Sequence, residues 1–142
     1  MSQRLENVSL TVEAGEKAKR LRGEFGLAEL SDIIRLAVSV ALRENLSLDT
    51  PAGTTYGGSV NFRTDAIDPE GNLRMLIQRV YGGQVGEIVP SEDVALRVLM
   101  SKGVEFIHER HADGEWHSLA DVLAAPSATE PDSAGQAPVA TS

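Results

Sequence analysis

Residues 31–44 read SDIIRLAVSVALRE. Wound as a helix at about 100° per residue, they put Asp32, Arg35, Ser39 and Arg43 on one narrow strip, and Ile33, Ile34, Ala37, Val38, Val40, Ala41 and Leu42 around most of the rest. A helix this apolar has to be buried on several sides, so other helices are expected to wrap it, from the same chain or from further copies. Ser31 is the expected N-cap, with Asp32 near the positive helix end and Arg43 near the negative one.

Working outward, residues 7–12 (NVSLTV) alternate Val8, Leu10 and Val12 with polar residues, the period of a short half-buried strand. Over residues 13–25, Ala14, Ala18, Leu21 and Phe25 recur at helical spacing, and Gly26 supplies a stop. Downstream, residues 47–71 are rich in Gly, Thr, Asp and Pro, a long loop containing one apolar scrap, VNF. Asp68-Pro69 is expected to reopen a helix whose buried face is Leu73, Leu76, Ile77 and Val80, ended by Gly82-Gly83. Ser91 then caps a helix running to about Glu109, with Leu96, Leu99, Met100, Gly103, Phe106 and Ile107 along one side; Gly103 would let a neighbouring helix approach closely. After a turn at Asp113-Gly114, residues 118–124 form a last short helix docked by Trp116, Leu119, Val122 and Leu123. The expected fold is therefore mainly all-α: a compact bundle of four to five helices around a buried central helix, with a short N-terminal strand. It forms a single domain over residues 1–125, followed by a disordered tail over residues 126–142, where Val139 is the one large apolar residue.

The 142 residues include no cysteine, which excludes disulfide and thiol chemistry. The N-terminus lacks the apolar run of a signal peptide, and the central helix is too short and too charged at its ends to span a bilayer; a soluble, cytoplasmic protein without a membrane partner is expected. Net charge is −8, but unevenly spread. Residues 1–83 hold ten Lys/Arg against eleven Asp/Glu, and residues 84–142 hold three against ten. The acidity lies in the C-terminal part, and the N-terminal part can still carry a basic face.

Basic residues make the strongest chemical pattern. The first helix has Lys17, Lys19, Arg20 and Arg22; Glu13 and Glu16 stand four residues before Lys17 and Arg20 and can pair with them, whereas Lys19 and Arg22 have no carboxylate at that spacing. Arg35 and Arg43 make a second basic strip on the central helix, which Arg63, Arg74 and Arg79 would extend. Positive groups free of local acids on one face are what phosphate contact requires, while the plainer reading makes them ordinary solvated charges. Glu105, His108 and His111 give a Glu-x-x-His pair, yet no second pair accompanies it, so a metal site is not expected there. Asp65, Asp68 and Glu70 resemble a cation loop in composition; helix capping by Asp68 is the simpler account, with Asp65 kept as a candidate ligand. No GxSxG, Walker A, GxGxxG, HExxH or paired-Cys motif occurs, so nothing argues for an enzyme or a cofactor.

Three stretches, LTVEAGEKAKRLRGEFGLAELSDIIRLAVSVALRE, NFRTDAIDPEGNLRMLIQRV and EDVALRVLMSKGVEFIHER, taken in order, resemble the DndE family of bacterial DNA phosphorothioate-modification systems. The resemblance covers roughly a hundred residues by pattern of elements. It implies a compact helical bundle assembled as a homotetramer, and DNA binding, particularly to nicked duplex, beside the other DNA sulfur-modification proteins. By position, Lys17, Lys19, Arg20 and Arg22 match the family's basic first helix, Gly23 and Gly26 its turn, and Arg35 the arginine of its core helix.

The expected function is thus a non-enzymatic DNA-binding component of such a system, with Lys17, Lys19, Arg20, Arg22, Arg35 and Arg43 as its DNA-binding residues. One alternative is a ribbon-helix-helix regulator, since VSLTV followed by two helices is the order that fold uses, with Ser9 and Thr11 entering the major groove from a ribbon formed by two copies. Another is a metal-dependent nicking endonuclease using Asp65, Asp68 or Glu70, and a last is an assembly factor that binds a larger modification enzyme and no DNA.

Overall fold

The computed structural model describes residues 4–125; the expected tail at 126–142 lies outside the described residues. The apolar stretch forms helix α2, Leu30–Arg43, preceded by β1, Asn7–Ser9, and α1, Val12–Glu24. Then follow β2, Asn61–Arg63, α3, Thr64–Ile67, α4, Asn72–Tyr81, α5, Gln84–Glu87, α6, Glu92–Ala112, and α7, Leu119–Ala124. Four helices of ten residues or more carry the bundle, and the other three are short.

Helix α2 is buried at Ile33, Ile34, Ala37, Val38, Val40 and Ala41, as its spacing requires. Its N-cap is Glu29 and not Ser31. Glu29 is extended (φ −119°, ψ 147°) and its amide donates to the Asp32 carboxylate at 3.0 Å, so Ser31 falls inside the first turn. The long helix α6 starts where expected: the Ser91 hydroxyl accepts from the Val94 amide at 3.3 Å. Its burial departs from the single apolar side expected, because Val94, Leu96, Val98, Leu99, Met100, Val104 and Ile107 are covered from several directions. The core is accordingly built on two central helices, α2 and α6, which form the most extensive packing in the chain. Gly103 makes their close crossing feasible, since a Cβ there would overlap the Ala37 carbonyl.

The first helix is capped by Thr11, whose hydroxyl accepts from the Ala14 amide at 3.1 Å. It ends at Gly26, which takes φ +66° while the Leu27 amide returns to the Arg22 carbonyl at 2.9 Å. β1 pairs antiparallel with β2, the VNF scrap: Asn7 faces Arg63, Val8 faces Phe62 and Ser9 faces Asn61. The strand partner that a ribbon-helix-helix regulator takes from a second copy is here supplied by the same chain, and α2 is covered by α6 and α4. This arrangement overturns the regulator reading.

Helix α4 begins at Asn72, later than the Asp68-Pro69 signal suggested. Asp68 nonetheless caps it from a distance, accepting the amides of Leu73 and Arg74, each at 3.0 Å. Of its four expected core positions only Ile77 is buried; Leu76 and Val80 are 46% and 42% exposed, and Met75 joins them at 50%. Tyr81 takes the inner place instead, its hydroxyl donating to the Leu46 carbonyl. Trp116 and Val122 dock α7 as expected, Trp116 against Phe106 at 5.9 Å between ring centres. Among the described residues no helix is long and apolar enough to cross a membrane.

Candidate nucleic-acid interface

On a helix, residues three or four apart share a side and adjacent ones do not. The basic residues of α1 therefore divide between two flanks. Lys17 faces α6, where its ammonium meets the Glu105 carboxylate at 2.5 Å. Arg20 leans the same way, and its field and that of Lys17 act on His108. Burial first, and then these two cations, hold the His108 imidazole below its ordinary value. This flank borders an open groove of about 990 Å³ between α6 and the loop at 46–56, in which Lys17 and Lys102 stand among Glu13, Glu105, Glu109 and Asp113. Positive and negative groups are mixed there.

Lys19 and Arg22 lie on the other flank, and both are exposed. The Lys19 ammonium donates to the Ser59 hydroxyl at 3.1 Å, which ties this flank to the start of β2. Glu16, three residues earlier, stands 3.6 Å from Lys19, a pairing that counting at a spacing of four had missed. The pair is open to solvent and weak. Arg22 donates to the Ala28 carbonyl at 3.3 Å.

The α2 strip has a different fate. Arg35 donates to the carbonyls of Ala66 and Ile67 at 2.8 and 3.2 Å, closing the C-terminal end of α3, and stands 3.8 Å from Asp32. Arg43 donates to the Val122 carbonyl at 2.7 Å and to Glu44 at 3.2 Å, and lies 5.5 Å from the centre of the Trp116 ring. Arg35 and Arg43 thus join α3 and α7 to α2.

Arg74 is further removed from any solvent strip. Its guanidinium is sandwiched between Asp68 at 2.9 Å and Asp93 at 3.1 Å, with side-chain exposures of 17%, 3% and 8% respectively. Asp93 also accepts the Leu5 amide at 2.8 Å. Burial pushes the Asp68 carboxyl up, but the amides of Leu73 and Arg74 and the Arg74 guanidinium together outweigh it, and the group ends below its ordinary value. The expected extension through Arg74 is therefore corrected, because that cation neutralises two buried acids. Asp68 is spent as cap and ion partner, and Asp65 stands 3.9 Å from the same guanidinium. Among the described residues no group of three His, Asp or Glu side chains is placed to hold a metal ion.

What the spacing of charges did not reveal is the outer face of the β1–β2 ribbon. Side chains alternate across strands, and directly paired residues share a face. Asn7, Ser9, Asn61 and Arg63 consequently all project outward, while Val8 is buried and Phe62 half-buried on the inner side. Ser9 donates to the Asn61 side-chain oxygen at 2.8 Å. A shallow cleft beside Arg63 is lined by Arg4, Glu6, Asp65 and Arg74. Val60, just before β2, packs against Gly15 of α1, so the ribbon is seated against the helix that carries Lys19. Comparison of the chain with family models, curated proteins and solved structures finds no match.

Proposed function

We propose that this chain is a non-catalytic, DNA-binding component of a DndE-type phosphorothioate-modification system, acting in the cytoplasm beside the sulfur-incorporating proteins. In this reading it engages the phosphates of duplex DNA, nicked duplex included. The observation that carries it is the flank of α1 bearing Lys19 and Arg22, exposed and joined through Ser59 to the ribbon that carries Arg63 on its outer face. Acidity of the whole chain does not oppose this, since phosphates respond to the local face. Lys17 and Arg20, on the opposite flank, contribute to the positive field of α1, and Arg35 and Arg43 support the scaffold that holds it. Homotetramer formation belongs to the same proposal, because Met75, Leu76, Val80 and Ile88 leave an apolar surface on α4 and the turn after it, of the kind that subunit contact covers.

The test is a titration of nicked and intact duplex across salt, with the mass in solution followed in parallel. Binding should weaken linearly on a double-logarithmic salt plot. The double charge reversal Lys19→Glu with Arg22→Glu should flatten the slope by about 2, near one unit per phosphate contact. Binding that is undetectable at low salt, or indifferent to the double reversal, rejects the proposal.

A further inference from the structure

We infer that the outer face of the β1–β2 ribbon reads base edges in the major groove, with Arg63, Asn7 and Asn61 as specificity-determining residues. This rests on the duplex-binding reading above and adds sequence readout to it. Two antiparallel strands about 5 Å apart, three residues long each, fit a B-form major groove about 12 Å wide, and a two-stranded ribbon is one of the two elements that groove admits.

The residue types matter as much as the shape. Arginine pairs through two N–H groups with O6 and N7 of guanine, and asparagine pairs bidentately with N6 and N7 of adenine. Arg63 and Asn7 sit directly opposite one another on the ribbon, both exposed. Neither side chain makes a hydrogen bond or ion pair within the described residues, and a long guanidinium left unpaired on a strand is available to a ligand. Asn61 accepts from Ser9 through its oxygen, which fixes the orientation of its amide and leaves the NH₂ group pointing away from that bond. Inward packing of Val8 and Phe62 on the core makes the platform rigid. Lys19, held against Ser59 at the end of the ribbon, stands where the flanking phosphate backbone would pass. An A-form duplex would not admit the ribbon, because its major groove is deep and narrow, so the ligand class is B-form DNA.

The experiment is selection from a randomised duplex library by the full chain, followed by salt-resolved affinity for the selected and a scrambled duplex. It uses the wild type, Arg63→Lys, Arg63→Ala, and Asn7→Ala, each checked for native helicity. The wild type should prefer its selected site by roughly ten-fold or more. Arg63→Lys keeps the charge and removes the planar fork, so it should relax the choice at one guanine with the salt slope unchanged. Asn7→Ala should relax an adjacent position. Duplexes bound within about two-fold of one another by the wild type overturn the inference and leave the phosphate-binding reading intact. Equal weakening of every sequence by Arg63→Lys and Arg63→Ala likewise overturns it and makes Arg63 a phosphate contact. No binding to any duplex at low salt overturns both readings together.

Discussion

The outer flank of α1 and the polar edge of α2 carry similar side chains, and the molecule puts them to opposite uses. On α2, Arg35 and Arg43 reach the carbonyls at the ends of α3 and α7, because a helix at the centre of a bundle is surrounded by the termini of its neighbours, whose last carbonyls need donors. On α1, a peripheral helix, Lys19 and Arg22 meet one hydroxyl, one loop carbonyl, the exposed carboxylate of Glu16 and otherwise solvent. An arginine's role is decided by what lies beyond its own helix, and the same residue type becomes a joint in one place and a free charge in the other. Arg74 is the extreme of the first kind, with two buried carboxylates depending on it.

The contrast can be broken most severely at Arg74. Arg74→Ala leaves Asp68 and Asp93 buried and uncompensated and should cost about 3–5 kcal/mol in urea unfolding. A cost under 1 kcal/mol would place Arg74 with the free charges. The same network should govern acid stability. Because the Asp68 carboxyl lies lower in the folded chain than its ordinary 3.8, its contribution is complete above that value and is lost as pH falls through the lower, folded one. The stability gap between wild type and Asp68→Asn should therefore narrow below about pH 4 and stay constant above about pH 5. A gap that widens in acid contradicts the assignment.

Arg43→Ala removes a hydrogen bond to Val122 and the contact with Trp116, and should cost about 1–2 kcal/mol, with the tryptophan emission shifted to the red. At the far end of the series, Lys19→Ala and Arg22→Ala should each change stability by less than about 0.5 kcal/mol. Each should nevertheless lower the salt slope of duplex binding by about 1. If the single α1 variants unfold the chain while Arg43→Ala leaves its stability unchanged, the division between joints and free charges is wrong.

Much of the framework was legible along the chain. The burial of α2 followed from its spacing, and Gly103 followed from a gap in an apolar stripe that only a close neighbour explains. Two things were hidden for one reason, the distance in sequence between partners. Asp93 and Ser101 are polar, yet they are buried on α6 because they accept the amides of Leu5 and Thr11, 88 and 90 residues away. A period count marks such positions as outward, and α6 looked one-sided when it is enclosed. The outer ribbon face was concealed likewise, since Asn7 and Arg63 acquire a common direction only when β1 finds β2. The exposed side of α4 has a different origin. Leu76 and Val80 fit a helical stripe, but Tyr81 at the next turn points inward and rotates the helix so that they face out.

The seam between the chain's beginning and its later segments also dictates an order of assembly. The strand that opens the fold cannot close its ladder until Arg63 has been synthesised, and the acceptor for the Leu5 amide, Asp93, emerges thirty residues later still. The paired α1 and α2 can nestle together early, whereas the ribbon must wait for residues 61–63 and the anchor of Leu5 for α6. A ribosome-bound intermediate would therefore be helical before its ribbon is paired, an order set by topology alone.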